Sequence, residues 1–115
     1  MNEVRNFETR ERTTGCRRSY GEYVNHMIRF FLTSPDGLTV AGHTQADVAN
    51  WMSVQTVWAG LTEEEQALIR QMYTCNRRYE DTVQEYAHSR GVNPKSIWKR
   101  LTDITFQIAR LRGLV

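Results

Sequence analysis

The side chains best suited to chemistry are cations and hydroxyls that follow a tight turn near Gly91. Lysine and arginine bind phosphate oxygens and guanine edges, and serine bonds to either. The four side chains of this kind are Lys95, Ser96, Lys99 and Arg100. Asn93 precedes them, where it can cap a helix whose first amides hold a phosphate. This pattern predicts a surface that binds an anionic polymer, with no reaction performed on it.

Four further side chains extend this candidate surface: Arg77, Arg78, Arg90 and Trp98. We interpret the three arginines as candidate contacts to backbone phosphates. Trp98 has two interpretations, a buried anchor of the last helix or a contact to a base. All nine positions are therefore candidate nucleic-acid contacts.

Metal and redox chemistry have little support in the sequence. Cys16 and Cys75 lie far apart outside any CxxC pair, and His26, His43 and His88 are scattered. A structural zinc site needs about four convergent ligands, usually in close pairs. We expect no metal and no cofactor. A disulfide between the cysteines is an alternative that an intracellular protein does not favour.

Enzymatic function is the weakest interpretation. The chain lacks a glycine-rich phosphate loop, a nucleophile elbow and an HExxH pair. The glutamate run at 63–65 is the nearest thing to a catalytic carboxylate cluster. It follows a threonine, so we interpret it as a helix N-terminus, where negative charge complements the helix dipole.

Composition limits the class of protein. The chain has 115 residues, of which 40% are hydrophobic and 24% charged, and this suits one globular domain with a modest core. No apolar run approaches the ~18 residues of a membrane span. The start leads into charged residues instead of an apolar signal core. We therefore expect a cytoplasmic protein with no membrane partner.

Charge is distributed unevenly along the chain. The net charge is +2, but residues 61–89 hold three basic and six acidic residues, and residues 90–115 hold six basic and one acidic. Residues 1–18 hold five arginines and few apolar groups. We interpret them as a flexible basic arm, either a frayed terminus or a segment that follows DNA phosphates or a minor groove.

The sequence predicts a small all-α domain of about five helices. Residues 19–60 form its N-terminal helical part, in which Ser19 and Glu22 match a capping box. The predicted apolar positions of the first helix are Tyr20, Val24, Met27, Ile28 and Phe31. Turn chemistry at 34–37 ends this helix, and the stretch 38–42 is too short to assign.

A second helix is predicted to begin at Thr44, with Asp47 completing a partial capping box. Its expected apolar positions are Val48, Trp51, Met52 and either Val57 or Trp58. Residues 44–54 also resemble a helix-turn-helix, but Gly60 leaves too little room for a second helix. We therefore favour one continuous helix there.

Residues 61–115 carry the stronger helix-turn-helix signal. A helix capped by Thr62 is predicted over 63–75, with Leu68, Ile69, Met72 and Tyr73 on its buried face. Residues 76–78 connect it to a helix over 79–89 that buries Val83, Tyr86 and Ala87. Gly91 suits a left-handed turn, and Asn93 and Pro94 suit the start of the next helix.

The last helix is expected to end near Gly113 and to carry an apolar stripe. The stripe consists of Ile97, Leu101, Ile104, Ile108 and Leu111. It either packs on the other helices or, since roughly 18 residues span ~27 Å, pairs in its far half with a second copy as a homodimer seam.

The C-terminal half resembles the region-4 helix-turn-helix of sigma-70-family factors. Residues 61–73 are similar to that module's first helix, opening with leucine, a small residue and glutamates, and containing Arg70 and Tyr73. Residues 91–101 are similar to its turn and recognition helix. Small phage regulators of the ArpU and RinA kind carry such a module behind a helical N-terminal part.

This resemblance implies a sequence-specific, DNA-binding transcriptional regulator of phage or mobile-element origin. Its last helix would enter the major groove of double-stranded DNA, and RNA polymerase would be a further partner. No region-2 module is evident, so we do not expect a complete sigma factor.

The main alternative is a phage-type adaptor or inhibitor that binds a host polymerase or defence enzyme, since fold does not fix function. The three tryptophans and the arginine-rich arm would suit such a surface. A third possibility is a DNA-packaging recognition subunit within a larger assembly.

Overall fold

The computed structural model describes residues 20–115, and this part of the chain is all-α, with no strand. The predicted fold class is confirmed. The basic arm at 1–18 and the cap at Ser19 lie outside the described residues. The five helices are α1 (Tyr20–Leu32), α2 (Gln45–Trp58), α3 (Glu63–Thr74), α4 (Tyr79–Arg90) and α5 (Pro94–Arg112).

The main core forms where α1 meets α2 and α5. The predicted apolar face of α1 is confirmed, because Val24, Met27, Ile28 and Phe31 are buried, and Tyr20 packs half-buried beside them. Their spacing of three and four residues places them on one side of the helix. The core also takes in Val54 and Val57 of α2, Ile69 of α3, and Ile104, Ile108 and Ala109 of α5.

Helix α2 is continuous through the segment that resembles a helix-turn-helix, as predicted. Thr44 and Asp47 form a full capping box, since the Asp47 amide donates to Thr44 Oγ1 at 3.0 Å and the Thr44 amide to Asp47 Oδ2 at 3.1 Å. Continuity puts Trp51 and Trp58 on the same side of the helix. Both rings lie 5.4 Å from the ring of Phe31.

The predicted burial of Met52 is wrong, because its side chain is 58% exposed. Val54 is buried in the core instead, together with the polar Asn50 and Ser53. The Asn50 amide donates to the Tyr23 hydroxyl at 3.0 Å and accepts from Arg112 Nε at 2.6 Å. Because these hydrogen bonds replace water, a polar face of α2 can turn inward and Met52 turns outward.

Helix α3 matches its prediction and joins two cores. The Glu65 amide donates to Thr62 Oγ1 at 3.1 Å and the Thr62 amide to Glu65 Oε1 at 3.0 Å, which completes the capping box. Ile69 enters the main core, whereas Leu68 and Met72 form a second cluster with Val83 of α4. Ile97 and Leu101 of α5 pack against this second cluster.

The stripe of α5 is buried only along part of its length. Ile104 and Ile108 are buried, Ile97 and Leu101 are half-buried, and Leu111 is 56% exposed, so the stripe packs on the other helices except at its far end. The stripe repeats about every 3.5 residues, and a straight helix turns every 3.6, so the stripe drifts by ~20° per heptad. Ala109 is buried near the helix end instead.

Within residues 20–115, no helix combines the length and the apolar character needed to cross a bilayer.

Candidate nucleic-acid interface

The turn between α4 and α5 has the predicted left-handed geometry. Gly91 adopts φ +65° and ψ 31°, a backbone conformation that residues with a Cβ rarely take. The Gly91 amide donates to the His88 carbonyl at 3.2 Å, and the Val92 amide donates to the Ala87 carbonyl at 3.0 Å. These bonds close the end of α4 and turn the chain sharply into α5.

The start of α5 is capped by the side chain that the sequence indicated. Asn93 Oδ1 accepts a hydrogen bond from the Lys95 amide at 2.9 Å, and Pro94 occupies the first turn, where no amide donor is needed. Ser96 Oγ donates to the Asn93 carbonyl at 2.7 Å. Asn93 and Ser96 therefore serve the turn itself, and Ser96 would have to exchange this bond to donate to a DNA phosphate.

Lys95 and Lys99 are the cations in the first half of α5 that are exposed to solvent. Both are exposed, and neither forms an ion pair with any residue in 20–115. Residues four apart on a helix lie on the same face, one turn above the other. The two ammonium groups therefore present adjacent positive charges beside the capped first turn.

Arg100 of α5 forms an ion pair with Glu65 of α3. Its Nε donates to Glu65 Oε2 at 2.6 Å and a terminal nitrogen donates to Oε1 at 3.3 Å. These hydrogen bonds keep the pKa of Glu65 below its usual range and raise the pKa of Arg100, although partial burial opposes both shifts. The arrangement ties α5 to the N-terminus of α3, so Arg100 is committed to packing the module together.

Arg77 and Arg78 lie at the start of α4 with acidic neighbours. Arg77 donates to Glu85 at 2.9 Å, and Arg78 forms an ion pair with Glu80. The hydrogen bond to Glu85 is the main reason that the pKa of Arg77 is raised. Exposed pairs of this kind contribute little to stability, so a phosphate can displace the carboxylates.

Arg90 lies at the other end of α4, directly before the turn. Its guanidinium packs over the Tyr86 ring at 3.9 Å from the centroid and lies 3.7 Å from a Glu64 carboxylate oxygen. This packing holds the arginine against α3 and α4. Of the three arginines that the sequence analysis assigned to backbone phosphates, it has the closest aromatic contact.

A cation that the sequence analysis missed lies beside this surface. Arg29 of α1 packs over the rings of Tyr73 and Tyr79, at 5.3 and 5.8 Å from their centroids, and donates to the Tyr79 hydroxyl. Burial raises the pKa of Tyr73 to about 12, and the charge of Arg29 partly offsets that shift. Nothing in the local sequence of α1 distinguishes Arg29, because only packing brings it to α4.

Arg29 lines a shallow groove between α1, α4 and α5. The groove is lined by Arg29, Arg77, Arg78, Tyr79, Glu80 and Trp98. Trp98 is 38% exposed, so it is neither a fully buried anchor nor a free surface ring. The structure thus joins Arg77, Arg78 and Trp98 to Arg29, and leaves Lys95 and Lys99 on the neighbouring face of α5.

Side chains of the types that commonly bind metals are not clustered in the described region. Among residues 20–115, no three histidine, cysteine, aspartate or glutamate side chains form a group that would hold a metal ion. Cys75 is a free, exposed thiol after α3.

Comparison with known proteins adds no relative. No protein family, no curated protein and no solved structure matches this chain.

Proposed function

We propose that this protein is a sequence-specific DNA-binding regulator whose α5 enters the major groove of double-stranded DNA. The observation that carries the proposal is the left-handed turn at Gly91 followed by an Asn93-capped helix with two exposed lysines. A helix presented in this way fits the major groove, where lysine bonds to guanine edges or phosphates.

Backbone phosphates would be held by cations around the turn. The first amides of α5 supply partial positive charge at its start, and Arg77, Arg78 and Arg90 at the two ends of α4 supply three cations. Their carboxylate partners are exposed, so phosphates can replace them. With the sigma region-4 resemblance, this supports a cytoplasmic regulator of transcription of phage or mobile-element type.

The test measures Lys99→Ala against the wild type in gel-shift titrations with genomic fragments at several salt concentrations. Losing one base-edge contact is worth ~1–3 kcal/mol, so we expect affinity for the preferred fragment to fall roughly fivefold or more. Denaturant unfolding should match the wild type, because Lys99 is exposed. Arg110→Ala, an exposed cation near the far end of α5, is the matched control and should bind normally. Wild-type affinity in Lys99→Ala would overturn the assignment.

A protein-binding adaptor is the second candidate function, and exposed apolar side chains favour it. Phe106 is 43% and Leu111 56% exposed on the second half of α5, away from the turn. Exposed apolar side chains of this kind would suit a contact with RNA polymerase, another host protein or a second copy of the chain. An adaptor of this kind should show no duplex affinity even at low salt, whereas a DNA-binding protein loses affinity steeply as salt rises.

A further inference from the structure

The groove between α1, α4 and α5 contains a guanidinium whose hydrogen-bonding capacity is largely unused. Arg29 donates to the Tyr79 hydroxyl, and no carboxylate in residues 20–115 pairs with it. A guanidinium has several N–H donors in a planar fork that matches phosphate oxygens. The rings of Tyr73 and Tyr79 hold this fork in place, so little side-chain entropy remains to be lost on binding.

The charges that line the groove favour an anion. The lining contains three arginines and one carboxylate, that of Glu80, which forms an ion pair with Arg78. Arg77 is engaged by Glu85 on its other side. Arg29 is therefore the lining cation that no described carboxylate neutralises, and it is the one that we expect an incoming phosphate to meet first.

Aromatic surface lies along the same groove. Tyr79 and Trp98 both line it, and Trp98 keeps 38% of its surface exposed. An inorganic phosphate or a phosphorylated side chain would leave the indole unused, whereas a nucleotide also offers a base with a flat face. Lys95 lies three residues before Trp98 on α5, so a strand that leaves the groove would pass another exposed cation.

We propose that this groove binds one unpaired nucleotide of a single-stranded nucleic acid, with a phosphate on Arg29 and a base stacked on Trp98. This is a second activity beside duplex recognition through Lys99, and it does not rest on it. It would allow the protein to hold a strand end or an unpaired segment.

The experiment measures binding of the full chain to a 3′-labelled, 5′-phosphorylated oligothymidylate of about six nucleotides by fluorescence anisotropy. An oligomer of the same length and charge without bases is the comparison ligand. We expect tighter binding of the thymidylate, and quenching of tryptophan fluorescence by its unlabelled form. Stacking of one base is worth roughly a fivefold or larger change, so Trp98→Leu should reduce thymidylate affinity by at least that factor.

Arg29→Gln should weaken both oligomers by roughly fivefold, because each carries the phosphate. The matched control is Arg70→Gln, which also removes an arginine packed on an aromatic ring, Trp58 at 5.4 Å, but lies outside the groove lining. It should bind like the wild type. Circular dichroism and urea unfolding of each variant check the fold, and Trp98→Leu tests the site independently of Arg29.

Three results would overturn the proposal. Equal affinity for the two oligomers would show that no base is recognised. Unchanged binding in Arg29→Gln and Trp98→Leu would place the nucleic acid elsewhere. Equally tight binding of a phosphorylated peptide of the same net charge would indicate a site for phosphate alone.

Discussion

Residues 44–54 and 87–97 have similar helix-turn-helix patterns, but they fold differently. In each, an alanine stands four residues before a small residue, Ser53 in the first segment and Gly91 in the second. The first segment lies within the capped start and the body of α2. The second bends at Gly91, where φ is +65°, and begins a new helix at Pro94.

The difference lies in backbone freedom and in capping. Ser53 is buried, and its hydroxyl donates to the Ala49 carbonyl at 2.9 Å, a bond that a continuous helix accommodates. Gly91 has no Cβ and enters the left-handed region at low cost, after which Asn93 and Pro94 start the next helix. A shared spacing of small residues is therefore weak evidence of a turn unless a glycine and a cap accompany it.

The largest expected effect concerns the continuity of α2. Phe31 is fully buried between Trp51 and Trp58, which share a face only because no turn interrupts the helix. Phe31→Ala should lower the free energy of unfolding by about 3–5 kcal/mol, from lost burial and the cavity left behind. Urea unfolding measures it, with exposed Phe106→Ala as the control. A loss below that of the control would contradict the packing described here.

The next effect tests the turn itself. Gly91→Ala should destabilise the protein by about 1–2 kcal/mol, because a left-handed conformation is costly for a residue with a Cβ. Nothing lies within 4 Å of the added Cβ, so the cost is conformational and not a clash. Gly37→Ala, which is also unobstructed and has no positive φ, is the matched control for thermal unfolding. If both variants melt alike, the turn does not depend on glycine.

A smaller effect concerns the ion pair that joins the turn-containing half to α3. The pair joins Glu65 of α3 to Arg100 of α5, and it lowers the pKa of the Glu65 carboxyl in the folded protein. The stabilisation is therefore complete above about 4.3, the usual pKa of glutamate, and is lost as the pH falls through the lower pKa of the folded state. Glu65→Gln should cost about 1 kcal/mol at neutral pH, because the partner arginine is partly exposed. The difference in urea unfolding midpoint between Glu65→Gln and the wild type should become smaller at acidic pH.

Exposed Glu63→Gln is the control for that comparison, since this glutamate has no ion-pair partner among residues 20–115. Its effect should be a few tenths of a kcal/mol, typical of a charge at a helix N-terminus. A Glu65→Gln gap that stays constant from neutral to acidic pH would rule out the ion pair as its origin.

The smallest expected effect is a gain in stability in α4. Thr82 is buried, and its hydroxyl has no hydrogen-bond partner within the described part of the chain. Thr82→Val keeps the shape and removes the unpaired polar group, so it should raise the free energy of unfolding by up to about 1 kcal/mol. Thr56→Val, where an exposed hydroxyl donates to the Met52 carbonyl, should change little in the same melts. A clear destabilisation in Thr82→Val would mean that the hydroxyl has a partner.

The sequence by itself determined where α2, α3 and α5 begin and how α4 ends. The capping boxes at Thr44 and Thr62, the left-handed Gly91 and the Asn93–Pro94 start were all predictable. Each depends on groups within a few residues of one another, so their chemistry is local. The apolar face of α1 was predictable for the same reason, because helical period alone sets it.

Only the tertiary structure decided which side chains serve the candidate surfaces. Arg29 lies beside Tyr79, Arg100 is drawn to Glu65, and Asn50 is buried where Met52 was expected. Each outcome joins helices that are distant in the sequence, and their relative placement follows from how all the apolar faces pack at once. No local sequence pattern encodes this packing, so the groove at Arg29 could not be predicted from the sequence.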